Sequence, residues 1–129
     1  MFKIEDLKGS VAEIVAVIAE QEQTGKRNST ALERAVAQFR STWNSADCEH
    51  YKKSFGKVAL MAHHSRKPGE RNYHFENYIA VVHYGHSLNL FGAQPPASMP
   101  LFVTLAGLYT ALGVMIHHEE DLNAAFRQA

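Results

Sequence analysis

The chain has 129 residues, 13 Lys and Arg against 13 Asp and Glu, and 46% hydrophobic residues, which is typical of one compact soluble domain over residues 1–129. Its single cysteine, Cys48, excludes an internal disulfide framework and a cysteine-based zinc site. A formal net charge of zero argues against bulk attraction to DNA or an anionic membrane, although local charged patches can still bind either.

Apolar residues recur every three or four positions in the first half of the chain, which predicts three amphipathic helices. The first ends near Gln23, and a capping box at Thr30 and Glu33 opens the second. Asn44, Ser45 and Asp47 supply turn and cap residues before the third, which Lys67-Pro68-Gly69 ends. Each helix has a predicted buried stripe. In the first helix it is Leu7, Val11, Ile14, Val15 and Ile18, in the second it is Leu32, Val36, Phe39 and Trp43, and in the third it is Cys48, Tyr51, Phe55, Val58 and Ala62.

Two more helices are predicted in the second half, one from about Asn72 to Leu90 and a longer one from about Pro100 to Phe126. The fourth helix has a predicted stripe of Phe75, Tyr78, Ile79, Val82, His86 and Leu90, and we expect His86 to be a core histidine bonded to a neighbour such as Thr104. One side of the fifth carries Leu101, Leu105, Leu108, Leu112 and Met115. The fold class is therefore all-α: a single compact bundle of four or five helices with a long, apolar, central C-terminal helix.

No Asp, Glu, Lys or Arg occurs in the 42 residues from Asn77 to His118. Helices that face water normally carry charge, so this segment is expected to be covered by protein. It is either the centre of a monomer or the interface of a homodimer or of a complex with another protein; a peripheral membrane face is a third reading. The residues expected at such an apolar interface are Phe102, Val103, Gly107, Tyr109 and Val114.

Positive charge is concentrated between His50 and Asn72, where only Glu70 opposes six basic residues, for a local net charge of +5. Such a segment is either an ordinary solvated face or a surface that contacts an acidic protein or a nucleic-acid backbone. No aromatic interleaving or recognition-helix pattern predicts the reading of bases. The candidate anchors are Lys52, Lys53, Lys57, Arg66, Lys67 and Arg71.

The eight histidines raise an alternative hypothesis, because neutral imidazole is the commonest metal ligand. If consecutive helices are antiparallel, His64, His74, His117 and Glu120 gather at one end of the bundle and could bind a zinc or iron ion. The standard ligand spacings of helical metal sites are missing. A helical wheel of the third helix, at 100° per residue, places His64 on the outer side with Lys53 and Lys57. No cofactor is expected in the main interpretation.

The sequence contains no Gly-rich phosphate loop, Walker motif or nucleophile elbow, and Cys48 falls on a core stripe, where thiols are usually inert. The longest apolar run, 101–116, is shorter than the roughly 20 residues of a membrane span, so no span is predicted, and the N-terminus lacks a secretory pattern. We therefore predict a cytoplasmic, non-enzymatic regulatory or assembly subunit that self-associates or docks through its uncharged helices.

Overall fold

Five α-helices form the part of the chain that the computed structural model describes, namely residues 3–70, 73–91 and 99–117. They are α1 (Ile4–Thr24), α2 (Ser29–Trp43), α3 (Ala46–His64), α4 (Tyr73–Phe91) and α5 (Met99–His117). These described residues contain no strand, and the prediction of an all-α bundle is confirmed. The predicted continuation of the fifth helix to Phe126 lies outside the described residues.

The helix ends follow ordinary capping chemistry, with one correction to the sequence-based prediction. The predicted capping box at Thr30 is wrong: α2 begins at Ser29, and the side chain of Asn28 accepts a hydrogen bond from the Ala31 N–H at 3.1 Å. Of the three residues predicted to supply turn and cap chemistry before α3, Ser45 is the cap: its Oγ accepts a hydrogen bond from the Cys48 N–H at 3.1 Å. α1 stops at Gly25, whose left-handed backbone (φ 67°) suits glycine.

Each helix packs against its neighbours in the chain, and α5 returns to pack against α1, so that the five helices close into a ring. α2 also touches α4 across the ring. One continuous core fills the interior, with Ile14, Phe39, Leu88, Leu108 and Leu112 among its most completely buried side chains. α5 is therefore a core element between α4 and α1, but it is not wrapped by all four other helices, and one of its sides reaches the surface.

Most of the buried stripes predicted for α1, α2, α3 and α5 are confirmed. Every residue in the predicted α2 and α5 stripes is buried, whereas Val15 of α1 and Ala62 of α3 are exposed and Tyr51 is half-buried. Ala59 takes the place expected for Ala62 in the core. In these helices one continuous stripe of apolar residues follows the 3.6-residue period, which identifies the buried side even in α5, whose outer side also carries Val103 and Val114.

The predicted inner side of α4 is wrong. Val81, Gly85 and Leu88 are buried, whereas Ile79, His86 and Leu90 are exposed, and Phe75, Tyr78 and Val82 are half-buried. His86 is accordingly not a core histidine. α4 carries apolar residues all round, and at Gly85 its backbone lies so close to Trp43 that a Cβ would overlap the ring. A glycine adds nothing to an apolar stripe, so periodicity could not reveal this side.

Within the described residues, one helical segment, Pro100–His117, has the length and apolarity to cross a membrane, with a mean hydropathy of 1.6. Core helices of soluble proteins pass the same test. Here 39% of the segment is buried inside the protein, including Leu101, Leu108 and Leu112.

Candidate functional site

The outer side of α4 and α5 is uncharged and partly apolar. On α4 the exposed positions follow one helical stripe, with spacings of four, three and four residues, and a comparable stripe runs along α5. Leu90 is 72% exposed and Val103 is 53% exposed. We call this surface the α4–α5 face, and it consists of Ile79, His83, His86, Leu90, Val103, Ala106, Thr110 and Val114.

Of the five residues predicted for an apolar interface, Val103 and Val114 have exposed side chains on the outer side of α5. Phe102 is half-buried against the core. Gly107 lies under Tyr84 of α4, so close that a Cβ on it would be 2.5 Å from the Tyr84 Cε2. The ring of Tyr109 lies 4.8 Å from the Lys8 ammonium of α1. The sequence therefore identified the helix, but only part of its outer surface.

The basic segment is divided between an internal network and an open surface. The Lys52 ammonium lies 2.5 Å from a Glu49 carboxylate oxygen and 3.9 Å from the centroid of the Trp43 ring. It also donates to the Trp43 carbonyl at 3.3 Å, and the Lys52 side chain is 15% exposed. Lys52 thus fixes the junction of α2 and α3 and is not free to anchor a partner.

Lys53 and Lys57 are exposed, four residues apart on α3, and His64 is exposed near the end of the same helix, as the wheel predicted. Two apolar residues, Leu60 and Met61, are exposed between them. The turn after α3 adds Arg66, which donates to the Glu70 carbonyl at 3.2 Å, and Lys67, whose backbone N–H donates to the Glu70 carboxylate at 3.4 Å. We call Lys53, Lys57, Arg66 and Lys67 the basic α3 surface; Arg71 lies outside the described residues.

The proposed metal ligands are only partly described. His64 and His117 are exposed, while the side chain of His74 and all of Glu120 lie outside what the structure describes. His63 stacks on Phe75 with ring centroids 4.2 Å apart, which joins the end of α3 to the start of α4. Among the described residues no three histidine, cysteine, aspartate or glutamate side chains form a group able to hold a metal. The metal hypothesis stays a prediction.

A groove between α2, α3 and α4 was not predicted from the sequence. It has a volume of about 410 Å³, and it is lined by Trp43, Asn44, Glu49, Lys52, Lys53, Tyr78, Val82, His86 and Asn89. Many of its polar groups bind one another: the Asn44 amide donates to Asn89 at 2.9 Å, and the Tyr78 hydroxyl donates to the Lys52 carbonyl at 2.7 Å. These hydrogen bonds join α2, α3 and α4 around the groove. In the sequence, only the single tryptophan hinted at this region.

Cys48 is buried, in agreement with its predicted place in the core. Burial raises the pKa of its thiol above the usual 9.0, an effect that the nearby Lys52 charge only partly offsets. Because the thiolate is the reactive form, Cys48 is a packing group in this fold. Comparison of the chain with protein-family models, with curated proteins and with solved structures gave no match.

Proposed function

We propose that this protein is a non-enzymatic, cytoplasmic regulatory or assembly subunit that binds a protein partner through its α4–α5 face. The basic α3 surface would contact an acidic protein or a nucleic-acid backbone. The observation that carries the proposal is the exposure of Ile79, Leu90, Val103 and Val114 on two neighbouring helices that have no charged residue between Asn77 and His117. A surface of this kind gains free energy when it is covered.

The energetic argument rests on the apolar side chains. Covering a Leu or Val side chain completely stabilises a complex by about 1.5–3 kcal/mol, and fewer than a third of interface residues usually supply most of the binding energy. Leu90 and Val103 are the most exposed apolar residues of the α4–α5 face and are the best candidates for such anchors. Covering this face desolvates no Asp, Glu, Lys or Arg side chain, so binding carries no desolvation penalty from such charges.

The basic α3 surface supports the second part of the proposal through its position. Lys53 and Lys57 are exposed on α3, which does not lie next to α5 in the ring. α4 lies between them, and Lys53 and His86 line the same groove, so the basic α3 surface adjoins the α4–α5 face and one partner can contact both. Charges on α3 would speed association and add salt dependence, while the apolar face would supply most of the affinity.

The proposal is non-enzymatic because the sequence has no standard catalytic motif and because the one thiol is buried. The polar groups around the Trp43 groove support this interpretation, since several of them are already used to join the helices. A binding role requires no activated side chain. It requires only an exposed surface whose burial against a partner lowers the free energy.

Site-specific photo-crosslinking tests the proposal in cells that naturally contain the protein. A photoreactive residue replaces Val103 or Val114 in the α4–α5 face, and in the control it replaces Ala37, which is exposed on α2. We expect adducts with protein, either another copy or a different chain, at positions 103 and 114 but not at 37. Equal yields at all three positions, or none at any, would contradict the proposed docking role.

A further inference from the structure

We propose that the α4–α5 face binds the same face of a second copy of this chain, so that the protein is a two-fold symmetric dimer. This inference rests on the proposed function, because it names the partner that covers the docking surface. In a two-fold dimer the same patch is used twice, and the patch must therefore be complementary to itself.

The electrostatics of the face favour self-association. A surface of one charge sign repels its own copy, and a surface of mixed charge fits itself only in a matching register. From Asn77 to His117 the chain carries no Asp, Glu, Lys or Arg, so two copies of the α4–α5 face meet without repulsion between formal charges. The rest of the protein does carry charge, in equal numbers of acids and bases. The uncharged part is thus one continuous block of the chain, and its described helices, α4 and α5, are neighbours in the bundle.

The size of the face fits a weak dimer. Its exposed residues run from Ile79 to Leu90 and from Val103 to Val114, about 17 Å along each helix, and two helices side by side at about 10 Å present a face roughly 20 Å wide. A standard interface covers about 800 Å² on each partner, and the smaller area of this face is typical of weaker associations.

The relief of the face allows helices to approach closely. Along α5 the middle of the face is made of the small residues Ala106 and Thr110, and beside them Gly107 leaves room that Tyr84 fills from α4. Along α4 the middle of the face carries the larger side chains of His83 and His86. In a two-fold dimer the ridge of imidazoles on α4 of one copy can pack into the shallow strip on α5 of the other, as ridges pack into grooves within a bundle.

Sedimentation of the 129-residue protein between about 1 and 300 µM measures the association directly. We expect a concentration-dependent rise from the 14.4 kDa monomer to twice that mass. The substitutions V103K and V114K, alone and together, place charges in the face. The paired variant should raise the dissociation constant of the dimer at least tenfold. L60K/M61K is the matched control, because it places charges on equally exposed apolar residues of α3 and should dimerise like the wild type.

A charge-pairing experiment distinguishes contact between the two faces from an indirect effect. V103K/V114K and V103E/V114E should each be monomeric, whereas their mixture should give a heterodimer, because lysines then meet glutamates across the interface. Unchanged circular dichroism and thermal unfolding of each variant establish that the monomers are folded.

Three results would overturn the dimer. One is a wild-type mass of 14.4 kDa at every concentration; another is a dimer that L60K/M61K disrupts and V103K/V114K does not. The third is cosedimentation of the wild type with phosphatidylcholine vesicles that V103K/V114K abolishes, which would assign the face to a lipid surface. If the protein is monomeric but residue 103 still crosslinks to a different protein, the dimer fails while the proposed docking function stands.

Discussion

The backbone of Gly85 on α4 lies directly against the indole ring of Trp43 at the end of α2. A Cβ built on Gly85 would overlap the Cη2 and Cζ3 atoms of that ring. The Lys52 ammonium from α3 lies 3.9 Å from the same ring's centroid, so that three helices meet at one tryptophan. This contact sets how closely α4 approaches α2 and thereby which side of α4 faces outward.

Gly85→Ala should destabilise the protein. The added methyl group must displace the Trp43 ring, and overpacking of this kind costs about 1–3 kcal/mol, only partly offset by the roughly 1 kcal/mol by which alanine favours a helix. Urea unfolding measures the difference in the free energy of unfolding. The control is Gly9→Ala in α1, where a Cβ meets no atom within 4 Å, and this change should stabilise the protein by about 0.5–1 kcal/mol. If both substitutions stabilised the protein, the Trp43 ring would be able to move away from residue 85 without loss of stability.

Lys52 and Lys53 are neighbours in sequence but should differ sharply in their effect on stability. Lys52→Met keeps the aliphatic stem and removes the charge near Trp43 and Glu49. We expect a loss of about 1–2 kcal/mol, which comes mainly from the contact with Trp43, because the Lys52 side chain is mostly buried whereas Glu49 is half exposed. Lys53→Met changes an exposed side chain and should stay within about 0.5 kcal/mol of the wild type. Thermal unfolding of both variants is the measurement, and equal losses would mean that the Trp43 network contributes nothing specific.

The buried side of α5 could be predicted from the sequence, but that of α4 could not, and the difference has a physical cause. The leucines of α5 and Met115 follow a single stripe, so the 3.6-residue period is unambiguous. α4 offers apolar residues on every side, and its packing is decided by Gly85 against Trp43 and by Val81 and Leu88 in the core. Such a choice depends on tertiary contact, which the periodicity of one helix does not contain.

The candidate surfaces show the same division. The absence of charge after Asn77 pointed to α4 and α5 as a candidate interface, and Val103 and Val114 are exposed there. Spacing alone could not predict that Lys52 is buried in a network while Lys53 is exposed. The difference depends on the Trp43 ring at the end of α2, which the Lys52 ammonium contacts. Spacing also could not place Gly107, whose neighbour Tyr84 comes from another helix. Sequence patterns thus located the surfaces, while packing between helices selected their members.

The basic α3 surface should bind polyanions in a salt-dependent way. K53E/K57E reverses two exposed charges, and if both lysines contact phosphates, the slope of log K against log salt for a short DNA duplex should fall by about 2. R34E/R40E makes the same change in net charge on exposed residues of α2 and serves as the control. Fluorescence anisotropy with a labelled duplex, and in parallel with labelled polyglutamate as an acidic protein, should show a smaller change for the control. Equal effects of the two variants would assign the binding to net charge rather than to α3.

The free energy of unfolding should fall as the pH rises above about 9, because of two buried or half-buried groups. Burial raises the pKa of the Cys48 thiol above its usual 9.0 and that of the Tyr78 phenol above its usual 10.0. Between the unfolded and the folded pKa of each group, the unfolded chain has released a proton that the native protein still holds, so alkali favours unfolding. Urea midpoints measured from pH 8 to 11 should decline for the wild type and decline less steeply for C48A and for Y78F, whatever the stability of each variant at pH 8. Slopes identical to that of the wild type in both variants would show that neither group is linked to unfolding.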